Sequence, residues 1–298
     1  MRSEDAFSGL HPAVNFIFFA LVLVCSMCLM HPVCLLVSLA CSVCYAIRLR
    51  GGRALRLSIR WFLPMMLLAA ILNPAFNHQG VTILTYLPSG NPLTLESLLY
   101  GLAAAVMLVS VMEWFVCYSA VMTTDKFVYL FGRVIPAVSL VLSMALRFVP
   151  QFAEHLREVR QAQRCIGRDP LDGGLIRRVK KGVTVLSALV TWSLENAIET
   201  ADSMRSRGYG LPGRSAFGIY RFDERDRTAL LWLLACGGYL IAGWCAGGFR
   251  FSYYPSLTAG AVTPLSVTFP LAYLALCLTP LIFDRKEERT WKRLNSGI

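Results

Sequence analysis

Leu194-Glu-Asn-Ala-Ile-Glu-Thr-Ala-Asp-Ser-Met-Arg-Ser-Arg-Gly-Tyr-Gly210 is polar, ends in Arg and Gly, and follows an apolar run from Val183 to Leu194. Arg157-Glu-Val-Arg-Gln-Ala-Gln-Arg-Cys-Ile-Gly167 repeats the arrangement, behind an apolar run from Pro136 to Val149. A bilayer core needs about 20 apolar residues of helix, and neither apolar run is that long. Each composite therefore reads as one long helix, half packed against membrane helices and half projecting into the cytoplasm. Gly, Asp and Pro between 167 and 174 break helix, so the two are separate. Two cationic-tipped helices held out in water suggest a part that transmits force to a soluble partner.

The rest of the chain supplies the membrane. Of its 298 residues 56% are hydrophobic and 16% charged, with mean hydropathy +0.54, against roughly 25% charged in soluble domains. Residues 13–47 would form about 52 Å of helix against a core near 30 Å. His31-Pro32 breaks the run, because Pro lacks a backbone donor and clashes with the preceding turn. The expectation is an all-α, polytopic integral membrane protein with about six transmembrane helices, the two long cytoplasmic helices inserted between the fourth and fifth. Region 1–124 holds spans at 13–30, 32–47, 61–76 and 97–122. Region 125–227 is cytoplasmic, with long helices over 134–166 and 183–207. Region 228–298 holds spans at 228–247 and 264–283 and a basic tail. Residues 77–96 form an external loop with an extended stretch at 81–87, and Thr94 followed by Ser97 is cap chemistry for the helix that returns inward.

Charge fixes the orientation. Arg48, Arg50, Arg53, Arg56 and Arg60 cluster, and no Lys or Arg occurs from Trp61 to Asp125. Seventeen fall between Lys126 and Arg227, Arg250 stands alone, and five crowd 285–293. Cationic loops mark the cytoplasmic face, so both termini are expected inside. The net charge of +11 is explained by this sorting, without nucleic acid. The basic run Arg177-Arg-Val-Lys-Lys181 is expected at the lipid surface.

Catalytic and metal chemistry find little support. Cys25-x-x-Cys28 and Cys41-x-x-Cys44 lie in apolar runs without the turn residues of a metal knuckle. On either side of the turn they differ in depth by roughly 7 Å. His11, His31, His78 and His155 are scattered over both faces, and no Asp-rich motif appears. Glu113 is an intramembrane carboxylate: a functional candidate by default, or a group near the inner boundary that is protonated or paired with an Arg. No cofactor, metal site or catalytic residue is expected. A membrane-embedded lipid or prenyl transferase, or a stand-alone carrier, are the alternatives.

Ala145-Leu-Arg-Phe-Val-Pro150, Ala162-Gln-Arg-Cys-Ile-Gly167 and Ala201-Asp-Ser-Met-Arg-Ser-Arg-Gly-Tyr209 together resemble the transmembrane T component of energy-coupling factor (ECF) transporters, the EcfT/CbiQ family. Leu10-His-Pro12 and the apolar hairpin after it look similar too. The resemblance implies a non-enzymatic subunit in a bacterial or archaeal cell membrane, with two coupling helices ending in tripeptides with a central Arg. These tips dock into two ABC-type ATPase subunits, which need not be identical. A separate membrane protein, the S component, binds a vitamin or metal ion and rests on the apolar faces of 134–149 and 183–194. The second tip matches as Ser206-Arg207-Gly208. The first departs: Ile166, within Cys165-Ile166-Gly167, stands where Arg is expected, and Arg164 lies two residues earlier. Either Ile166 is an apolar plug, or Arg164 reaches around, or the two ATPases differ.

Overall fold

The computed structural model describes residues 5–77, 79–86, 92–132, 135–167, 174–209, 211, 220–249, 251–259 and 263–295. The expected turn at 168–173, the tip of the external loop at 87–91, His78 and Arg250 lie outside the described residues. The fold is all-α: nine helices and two short antiparallel hairpins among the described residues. The chain divides into two compact units, 1–127 with 220–298, and 128–219.

In the first unit, α1 (Pro12–Cys28) and α2 (Pro32–Arg50) form the hairpin that His31-Pro32 dictates, with Pro at the first turn of each. Gly51, at φ +73°, closes α2, and α3 (Gly52–Phe76) starts at the next residue. The arginines from 53 to 60 are thus helical, although the sequence reading began the third span at 61. Ala, Leu and Arg are strong helix formers, so the basic cluster continues the helix instead of looping. Beyond it, β1 (Ile83–Tyr86) pairs with β2 (Pro92–Thr94). The Thr94 hydroxyl accepts from the Ser97 amide at 3.3 Å and opens α4 (Leu95–Val121). The helix α5 (Thr124–Gly132) follows; α8 (Glu224–Cys245), β3 (Phe251–Ser252), β4 (Thr258–Ala259) and α9 (Pro264–Asn295) complete the series.

The core is aromatic. Phe7, Phe18, Phe19, Tyr45 and Trp114 are each no more than 1% exposed. Phe7 meets Phe18 edge-to-face at 4.9 Å, and Phe18 meets Trp114 at 5.9 Å. Lipid is as apolar as these rings, so dispersion and ring geometry hold the helices together, more than hydrophobic transfer. The Trp114 indole N–H donates to Ser38 Oγ at 3.1 Å, locking α4 to α2. Glu113 is buried on α4 at 1% exposure, and Arg50 reaches the Val116 carbonyl of the same stretch at 3.2 Å.

Residues 5–11 are tied down from several sides. The Ala6 amide donates to Asp284 Oδ1 at 2.8 Å, and the Tyr45 hydroxyl donates to Asp5 Oδ2 at 2.6 Å. Lys126 reaches the Ser8 carbonyl, and the His11 amide donates to Asp226 Oδ1 at 2.8 Å. Asp226 Oδ2 also accepts from the Asp223 amide in the capping box of α8. One carboxylate therefore starts α8 and holds the entrance of α1, which gives Leu10-His-Pro12 its structural reason.

Five described helices are long and apolar enough to cross a membrane: α2, α4, α6, α8 and α9. The helix α1, with 17 residues, and the apolar part of α3, Phe62–Phe76, are shorter. The six expected spans thus include two short ones, and α6, expected outside the membrane series, qualifies by length and composition.

Candidate functional site: two helix tips with one capping geometry

The second unit is built on α6 (Pro136–Cys165) and α7 (Leu175–Ser206). The start of α7 lies eight residues before the expected position 183, because the basic run and Gly182 are absorbed into the helix. Mid-helix Gly costs only about 1 kcal/mol relative to Ala, too little by itself to end a 32-residue helix. The two helices meet near their midpoints. The His155 ring stacks on Trp192 at 4.3 Å with 22° between planes, and Phe152 meets the same indole edge-on at 5.5 Å. Glu158 Oε2 lies 3.1 Å from His155 Nδ1. From this crossing to either tip is about 11 to 15 residues, or roughly 16–22 Å of helix. The Phe148, Phe152, His155 spacing marks one helical face and could have been read from the sequence, but was missed.

The end of α7 is a complete Schellman motif. Arg207 is the C-cap at φ −84°, and Gly208 follows at φ +77°. The Gly208 amide donates to the Arg205 carbonyl at 3.0 Å, and the Tyr209 amide donates to the Met204 carbonyl at 3.1 Å. These two bonds satisfy carbonyls that the last turn would leave open. Ser206 turns its hydroxyl back to the Ser203 carbonyl at 2.8 Å. The Arg207 side chain is exposed and, among the described residues, makes no ion pair.

The end of α6 repeats this geometry. Ile166 is the C-cap at φ −91°, Gly167 follows at φ +73°, and its amide donates to the Arg164 carbonyl at 2.9 Å. Ile166 is 63% exposed, and Arg164 and Cys165 are exposed as well. Superposing the capping positions pairs Arg164-Cys165-Ile166-Gly167 with Arg205-Ser206-Arg207-Gly208. Ile166 is the positional counterpart of Arg207, and Arg164 is the counterpart of Arg205. The sequence reading did not single out Arg205; counting back from each Gly would have found it.

Behind the tips, both helices carry exposed apolar side chains. Val138, Val141 and Val149 on α6 are 57–66% exposed, and Val183, Leu186, Val190 and Leu194 on α7 are 50–62% exposed. Among the described residues no group of His, Cys, Asp or Glu could hold a metal ion.

The sequence matches the CbiQ family, described as cobalt transport protein, over residues 6–216. It is similar to the energy-coupling factor transporter transmembrane protein EcfT of Lactobacillus helveticus, 38% identical over 105 residues, 35% of this chain and 38% of the relative. It is also similar to the EcfT of Lacticaseibacillus paracasei, 35% identical over 105 residues, 35% of this chain and 40% of the relative. The EcfT of Streptococcus thermophilus is 32% identical over 101 residues, 34% of this chain and 38% of the relative. The matched stretches span about two-fifths of these relatives' lengths. A multi-pass helical membrane protein with this match over more than half its length belongs to the CbiQ family.

Proposed function

We propose that this chain is the transmembrane coupling and scaffold subunit of an ECF-type ABC importer. It passes ATP-driven motion of two ATPase subunits to a membrane-embedded S component that takes up a vitamin or a metal ion. It has no chemistry of its own; ATP is hydrolysed in the partner subunits. Residues 125–227 are the coupling region, on the cytoplasmic side of a bacterial or archaeal cell membrane, and both termini lie on that side.

The observation that carries this reading is the shared C-cap geometry of α6 and α7, which displays one side chain at each helix end. At the α7 tip Arg207 is exposed at the C-cap. A cation there suits the dipole, and its guanidinium can grip a partner carboxylate through two hydrogen bonds. Ser206 and Gly208 set that cap. At the α6 tip the side chain in the same position is Ile166, a methyl-bearing knob in place of a fork. Two tips of unlike chemistry favour two unlike ATPase grooves, with Arg164 and Arg205 as flanking cations and Cys165 and Gly167 completing the first tip. The exposed apolar side chains of α6 and α7 supply a platform for the S component.

Purification of the tagged chain from native membranes tests the proposal. Two ABC-type ATPases and a small integral membrane protein are expected to come with it. Enzymatic turnover of lipid by the chain alone, or substrate transport in liposomes holding only this chain, would contradict it.

A further inference from the structure

A groove of about 760 Å³ lies between the start of α8 and the C-terminal half of α9. On α8 it is lined by Arg225, Thr228 and Trp232, spaced three and four residues apart on one face. On α9 the lining runs along one stripe from Thr279 through Lys286 to Leu294. The Trp232 indole donates to Thr279 Oγ1 at 3.3 Å, which closes the deep end. Toward the open end Trp291 and Leu294 are each 60% exposed, although the helix around them is otherwise charged.

We propose that this groove binds one anionic phospholipid, with its phosphate at Arg225 and Lys286 and an acyl chain along Trp232 and Ile282. Depth supports the placement. The apolar run of α9 ends at Phe283, and Lys286 lies three residues on, about 4.5 Å along the axis. The headgroup layer on each face of a bilayer is roughly 5–7 Å thick. Arg225 is the second residue of α8, whose 22 residues reach about 33 Å, one hydrocarbon core. Both cations therefore stand at phosphate depth, above an apolar wall, whereas Trp291, eight residues past Phe283, lies about 12 Å out, beyond the headgroup layer. A free phosphate ion would have no use for that wall, and an uncharged lipid none for the cations.

Charge complementarity has one opposing element, which makes the proposal testable. Glu287 Oε2 holds the Arg225 guanidinium at 2.9 Å. Exposed pairs of this kind contribute little, so a phosphate can take Arg225 from Glu287 at small cost. Glu287 thereby acts as a competing anion at the mouth of the groove. The remaining charges on this part of α9 are Arg285, Glu288, Arg289, Lys292 and Arg293, of which Glu288 pairs with Arg48. The inference rests on α8 and α9 spanning the membrane and not on any ATPase contact, so it can fail while the coupling role stands.

Native mass spectrometry of the full chain, titrated in detergent with phosphatidylglycerol or phosphatidylcholine, tests it. One phosphatidylglycerol is expected to be retained in preference to phosphatidylcholine. Arg225→Gln and Lys286→Gln should each weaken that preference about fivefold, and Glu287→Gln should strengthen it. Equal retention of the two lipids would overturn the proposal. So would weakening by Glu287→Gln, which would make the ion pair structural, or displacement by millimolar inorganic phosphate, which would make this a free-anion site. A photo-crosslinker at position 291 that captures a polypeptide instead of lipid would also overturn it.

Discussion

Replacement of Gly208 isolates the tip of α7 from everything behind it. At φ +77° a β-branched residue is strained by about 2 kcal/mol. The added Cβ would also stand 3.2 Å from Leu211 Cδ1, and the branch adds about 1 kcal/mol of crowding. Against this, the two Schellman hydrogen bonds contribute about 2 kcal/mol net in water. Gly208→Val therefore tips the balance by roughly 1 kcal/mol toward an opened last turn, leaving the closed form about one-sixth populated. A partner that grips only the closed tip should then bind about sixfold more weakly. Gly208→Asn, which tolerates the left-handed conformation, should fall between Val and wild type. Binding of purified ATPase subunits to the full chain in nanodiscs reads the effect. The thermal midpoint should be unchanged, because the tip is exposed and its bonds are local. Equal affinity for the Val variant and wild type would refute the argument that the cap presents Arg207.

At the other tip the proposed function gives the ATPase contact to Ile166, which shares the capping position of Arg207, so Ile166→Asp should weaken ATPase binding more than Arg164→Ala; the reverse order would give Arg164 the missing role. Gly243 packs on the Phe269 ring, where an added Cβ would meet ring carbons at 2.5 Å. Gly243→Ala should lower stability by about 1–3 kcal/mol, and an unchanged unfolding midpoint would show that α8 and α9 can part freely. Burial raises the Asp5 carboxyl from 3.8 to about 6, with the nearby Asp284 adding to the rise and the Tyr45 hydrogen bond opposing it. The folded chain therefore keeps this proton up to about pH 6, while the unfolded chain releases it near pH 4. Native stability should fall as pH rises through that window, on the order of 1 kcal/mol after screening of a partly exposed group. Asp5→Asn should lack that fall; an identical pH slope in the variant would assign it elsewhere.

The membrane character, the hairpin at His31-Pro32 and the long helices bearing the tips were legible because each rests on a local rule: apolar run length, the missing proline donor, or glycine at a helix end. What escaped was set by context. The third span was read from 61, beside the apolar stretch Phe62–Phe76, and helix propensity carries α3 back through the arginines from 53 to 60. The second long helix was expected from 183, yet α7 begins at Leu175 and runs across Gly182. The aromatic crossing of His155 and Trp192 joins residues 37 apart, and no local pattern links them. The double duty of Asp226, which holds His11 across 215 residues, is likewise invisible without the fold. The equivalence of Ile166 and Arg207 was half legible: the glycines were seen, but the matched capping torsions of the two tips come from the structure.

Charge reversal at the α7 tip bears most directly on the coupling role. In native membranes carrying Arg207→Glu, insertion and folding should be intact, because residue 207 is exposed and outside every core contact. ATP-driven uptake should be lost and the ATPase at that tip released. Undiminished uptake with the ATPases still bound would contradict the account.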